Sequence, residues 1–202
     1  MNTESLLVDE LNALDRVLKD VVGLNERYVA EFKQIMFRKH LSKKEFLISE
    51  GTICNFIGVV ISGAMRSFIR AGQTDEFNND FYFEHDFVSA YTSFLTSQPT
   101  NCNIQALTDV NVVYITAEQY QGLLSLDNEW FKLGKYISET FFIRKCKRET
   151  SFLKNTAAKR FESVLQLYPG IEQRVSQYHI ASYLGIKPES LSRIKLLTYI
   201  NK

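Results

Sequence analysis

QYHIASYLGIKPESLSRIKL, running from Gln177 to Leu196, satisfies the positional demands of a helix-turn-helix. Two helices that cross steeply over a tight turn need a small residue at the fifth position, and Ala181 stands there. The ninth position lies in the turn and favours a residue tolerant of a left-handed backbone, here Gly185. The fourth, eighth, tenth, fifteenth and eighteenth positions must be apolar to fill the small core. They are Ile180, Leu184, Ile186, Leu191 and Ile194, so one register meets every demand. Pro188 falls on the first turn of the second helix, where its missing N–H costs nothing. Lys187 before it is pushed toward extended geometry, and Ser176 is placed to cap the first helix.

The second helix then turns Glu189, Ser190, Ser192, Arg193 and Lys195 outward. These side chains suit phosphate contact and base-edge hydrogen bonding. Arg193 fits a guanine through two parallel hydrogen bonds, and Glu189 fits a cytosine amine. Gln177 and Tyr178 on the first helix, with Lys187 and Pro188 at the entry to the second, complete the expected DNA-binding set. A helical hairpin of this pattern can also be a plain packing unit, so the charge distribution matters. The net charge is only +1. Residues 1–143 nevertheless carry 12 Lys and Arg against 19 Asp and Glu, whereas residues 144–202 carry 12 against 4. A basic final third behind an acidic body suggests a second module that faces a polyanion.

Upstream, the apolar period changes twice. Leu6, Leu7, Leu11, Leu14, Val17, Leu18 and Val21, then Tyr28, Phe32, Ile35 and Met36 beyond Gly23, predict one or two amphipathic helices. From about Lys39 to Ile115, short β-rich runs alternate with turn residues, and Ser62-Gly63 and Ala71-Gly72 read as tight turns. That texture predicts an antiparallel sandwich or jelly roll. Thr116-Ala-Glu-Gln119 has capping-box order. A long helix should then run from about Leu126 to Lys154, with Trp130, Leu133, Ile137 and Phe141 along one side as the expected seam with a second copy. Residues 156–168 predict a further amphipathic helix ended by Pro169-Gly170. The fold expected is α+β. Residues 1–125 form an N-terminal jelly roll with helices, 126–154 a dimerisation helix, and 155–202 a DNA-binding domain.

Cys54, Cys102 and Cys146 are scattered, as are His40, His85 and His179. Neither set has the spacing of a disulfide framework or a metal site. No Ser/His/Asp set, phosphate loop or Cys/His pair stands out, which argues against an enzyme and against a cofactor. There is no apolar run of membrane-spanning length and no signal-peptide order at the start, so a cytoplasmic protein is expected.

The order helices, jelly roll, long helix, helix-turn-helix resembles the Crp/Fnr family of bacterial regulators. YPGIEQRVSQYHIASYLGIKPESLSRIK is similar to the wording of its Bacteroidetes subgroup. The resemblance implies a homodimer joined along the long helix, a cyclic-nucleotide-binding-like sensor, a palindromic DNA operator and RNA polymerase as a further partner. By the same resemblance Glu189 and Arg193 fall on base-contacting positions, and Pro188 on one that is arginine in a relative. Family members that bind cyclic AMP carry a Gly-Glu-Leu element and, about ten residues on, an Arg-Ser pair. Here Ser89-Ala90-Tyr91 and Thr100-Asn101 take those places, so the arginine and the glutamate are both missing. The expected effector is therefore an unknown small molecule other than cyclic AMP, or none. Clustered N-terminal cysteines for an iron–sulfur centre are missing too, and no haem ligands can be identified. Any two-stranded wing beside the recognition helix would have to come from the segment before Ser176, such as Gly170–Val175. The alternative to a DNA-binding regulator is a ligand-binding or protein-interaction module whose hairpin never meets DNA.

Overall fold

The computed structural model describes residues 8–72 and 75–200. The expected apolar positions Leu6 and Leu7 lie outside these residues. Helix α1 (Val8–Asp15) runs on through a π-helical turn (Arg16–Val21), and α2 (Glu26–Ile35) follows. The Asn25 side chain caps α2 by accepting from the amides of Arg27 and Tyr28.

Eight strands come next: β1 (Phe37–Leu41), β2 (Phe46–Ile48), β3 (Phe56–Ser62), β4 (Met65–Ala71), β5 (Asp75–Tyr82), β6 (Phe87–Val88), β7 (Asn103–Ala106) and β8 (Val110–Thr116). They form two antiparallel four-stranded sheets, ordered β1-β8-β3-β6 and β2-β7-β4-β5. Consecutive strands thus fall largely in opposite sheets, which makes the expected jelly roll. The β3–β4 turn needs Gly63 at φ +92°, where an added Cβ would sit 2.3 Å from the Asp109 carbonyl. Val59, Ile61, Met65, Ile104, Val112 and Ile115 are all buried in the main core.

Helix α3 (Tyr91–Thr96) fills the loop between β6 and β7, and α4 (Ala117–Leu126) leaves the roll at Thr116 through the expected capping box. A 3₁₀ turn (Asn128–Trp130) leads into α5 (Phe131–Lys154), the long helix. Then come α6 (Ala157–Leu167), capped by Thr156, the single turn α7 (Ile171–Arg174), α8 (Gln177–Leu184), capped by Ser176, and α9 (Pro188–Ile200).

Two expectations change here. Trp130, Leu133 and Ile137 do not form a seam open to a second copy: all three are completely buried in the protomer's own core. Trp130 meets Tyr28 edge-on at 5.4 Å, and Phe141 lies 4.9 Å from the Tyr91 ring. Their spacing marked an apolar stripe correctly, but that stripe faces the roll and its flanking helices, where burial is already available. The exposed apolar residues of α5 are Phe131, Phe142, Ile143, Phe152 and Leu153. The second change concerns the wing. Gly170–Val175 holds a helical turn rather than a strand.

Candidate nucleic-acid interface and sensor site

The turn of the C-terminal motif is made as its sequence demands. Gly185 adopts φ +67°, and its amide closes α8 against Ala181 and Ser182. Ile180, Ala181, Leu184 and Leu191 are buried, with Ile186 and Ile194 packed beside them. These residues hold α8 and α9 in one small core with Phe161, Val164, Tyr168 and Ile171.

The expected DNA-facing residues differ in exposure. Gln177, Tyr178, Lys187, Glu189, Ser192 and Arg193 are exposed, while Pro188, Ser190 and Lys195 are half-buried. Ser192 Oγ bonds Gln177 Oε1 at 3.4 Å across the two helices, and Arg193 reaches Ser190 Oγ at 3.5 Å. Lys195 differs from the others. Its ammonium pairs with Glu172 of α7 at 2.7 Å, so part of its charge is already engaged.

Helix α8 is fastened to the roll by buried polar contacts that the sequence did not reveal. Asn78 in β5 donates from its side chain to the His179 carbonyl at 3.1 Å and from its amide to Ser182 Oγ at 3.0 Å. Ser182 in turn donates to the Glu76 carbonyl at 2.6 Å. Arg66 in β4 pairs with Glu76 at 2.7 Å, forks onto Gln105 and places Nη1 3.3 Å from His179 Nδ1. An arginine can only donate, so Nδ1 is the acceptor and the imidazole proton sits on Nε2. Burial, and then the Arg66 charge, pull the His179 pKa down to about 4. Nearby, Arg174 pairs with Glu84, Arg144 with Asp86, and the Tyr168 hydroxyl donates to Asp80.

In the roll, four of the five residues aligned with a phosphate cassette are engaged within the fold. Ser89 Oγ donates to the Phe56 carbonyl at 3.0 Å, and Thr100 Oγ1 accepts from the Cys102 amide at 3.1 Å. The Thr100 backbone pairs with Gly51 and Thr52, both at 2.8 Å. Ala90 is buried, Asn101 is exposed, and Tyr91 belongs to an aromatic cluster with Phe94, Tyr120 and Phe141. None of residues 71–131 is Lys or Arg, a gap that spans the whole cassette. Counting cations along the chain would have shown it.

Residues 38–127 match the family model described as the cyclic nucleotide-binding domain. No curated protein matches the chain. Among solved structures, FixK2 from Bradyrhizobium japonicum is 15% identical with TM-score 0.72, covering 83% of this chain and 86% of its own. The c-di-GMP responsive global regulator CLP from Xanthomonas campestris is 17% identical with TM-score 0.69, covering 88% and 93%. A structure from Eubacterium rectale, described as a transcriptional regulator of the Crp/Fnr family, is 20% identical with TM-score 0.67, covering 88% and 85%. At such identities the likeness is one of fold. Residues 38–127 resemble a cyclic nucleotide-binding domain, and the chain as a whole shares the fold of these three structures, one of them described as a Crp/Fnr-family regulator.

Proposed function

We propose that this protein is a homodimeric, sequence-specific DNA-binding regulator of transcription that acts in the cytoplasm. The observation that carries this reading is the outer face of the helix-turn-helix. Gln177, Glu189, Ser192 and Arg193 stand exposed together on the basic third of the chain, while the apolar positions of the motif are spent on its core. Two such helices, about 34 Å apart in a two-fold dimer, would read successive major grooves of a palindrome. Phosphate neutralisation would draw on Lys187 and on the other lysines and arginines of the final third. RNA polymerase is a natural further partner of such a regulator.

Selection from random duplexes tests the reading. A palindromic consensus bound by wild type, with affinity falling steeply as salt rises, is expected. Recovery of no preferred sequence would favour the protein-interaction module instead. The sensor is proposed not to hold cyclic AMP in the usual manner. Its cassette lacks a cation and the Ser89 and Thr100 hydroxyls are bonded to the backbone, so the cyclic phosphate would be buried without a counter-charge. Micromolar cyclic AMP binding by calorimetry would overturn that part alone.

A further inference from the structure

A cleft of about 600 Å³ opens where the end of α5 meets α6 and α8. Its walls include Arg148, Phe152, Arg160, Val164, Tyr183 and Leu184. The Phe152 ring is flanked by two guanidinium groups, Arg148 at 4.6 Å and Arg160 at 4.8 Å from its centroid, and Arg148 also lies 5.1 Å from the Tyr183 ring. We propose that this cleft binds a small organic anion, one acidic group carried on an apolar body, as the effector of the protein.

The charges argue for an anion. Arg66, Arg144 and Arg174 each pair with a carboxylate. Arg148 and Arg160 instead donate only to neutral carbonyls. Arg148 reaches Asn78 O at 3.2 Å and Tyr183 O at 3.5 Å, while Arg160 reaches Asn155 O at 2.8 Å and Leu184 O at 3.0 and 3.2 Å. Neither has a carboxylate partner among the described residues. Arg148 Nε is fully buried and has no hydrogen-bond partner among them. Two half-buried cations without a carboxylate partner, beside an apolar floor, favour a ligand that brings one negative charge and hydrocarbon. The volume suits a small molecule. A second copy of α5 is a poor occupant, because residues 144–154 hold five Lys and Arg against one Glu and would bring like charge.

The position explains what occupancy would do. Phe152 packs against the turn of the DNA-reading motif so closely that a Cβ on Gly185 would lie 2.9 Å from its ring. Arg148 touches β5 of the sensor and α8 of the reader at once. An occupant would therefore bias how the three parts pack. That regulatory consequence rests on the DNA-binding reading, whereas binding itself does not.

Calorimetry of the full-length protein with decanoate, and with decyltrimethylammonium as the charge-reversed control, tests the site. Decanoate is expected to bind and the cation not to. Arg160→Gln should weaken decanoate at least about tenfold. Leu167 also lines the cleft, so Leu167→Trp, which narrows it and keeps both arginines, should abolish binding, and a thermal melt checks that each variant is folded. Equal binding of the two probes, no decanoate binding by wild type, or unchanged binding by folded Leu167→Trp would each overturn the proposal. DNA retention on a selected operator, run without probe, keeps the two readings separate: normal DNA binding with no decanoate binding refutes the cleft alone, and the converse refutes the DNA reading alone. Loss of DNA affinity in Arg160→Gln without any decanoate binding would assign this arginine to backbone phosphate instead.

Discussion

Arg193 stands exposed on the outer face of α9, with only a long contact to Ser190 among the described residues. Its replacement by alanine should weaken specific DNA binding by about 1–3 kcal/mol and relax preference at one base pair, read by competition with operator variants. The same loss on every sequence would make it a phosphate contact. Gly185→Ala should destabilise the fold by about 1–2 kcal/mol in urea melts, because φ +67° is strained for alanine and Phe152 blocks its Cβ. His179 gives a pH dependence. Its folded pKa, about 4, lies below the unfolded value near 6.5, so between these pH values the unfolded chain binds the extra proton. Stability should therefore be lost as pH falls from about 6.5 toward 4, by on the order of 1 kcal/mol once solvent screening at a half-buried site is allowed for. His179→Gln should flatten that slope. The motif was legible residue by residue because a tight turn and a small core impose local, countable demands. The role of His179 was not, since its partners Arg66 and Asn78 lie more than a hundred positions away along the chain.

At the level of the helix, α5 carries two apolar stripes, and periodicity alone could not say which was free. Trp130, Leu133 and Ile137 repeat with helical spacing because they pack on the roll. Trp130→Ala should cost about 3–5 kcal/mol of stability whatever the oligomeric state. Phe142, 68% exposed, and Leu153, 81% exposed, lie on the other side and are the residues available to a second copy. Phe142→Glu is expected to shift the protein toward monomer in sedimentation while changing the monomer's own stability by less than about 0.5 kcal/mol. A variant that stays dimeric would remove this stripe from the proposed interface. The longer strands were easier to anticipate, because β-rich runs are bracketed by turn residues. The short β2 and β6, of three and two residues, offer too little chain for a pattern to show.

Across the whole molecule, composition divides the chain near residue 155, but packing does not respect that division. The final third has its own charge and its own period, so it reads as a separable unit. Contacts across the boundary were not legible, because β5 looks in sequence like any other sheet strand. Yet Phe81 of β5 is completely buried among Phe161, Tyr168 and Tyr183, with rings 5.8 Å from Tyr168 and 5.4 Å from Tyr183. A fragment starting at 155 would lose that ring and be left with a hole, so it should melt well below the intact protein. Chimaeras face the same difficulty. Grafting this C-terminal domain onto another roll would succeed only where the host strand offers an aromatic side chain at the place of Phe81, so the two halves must change together through evolution rather than be exchanged as independent parts.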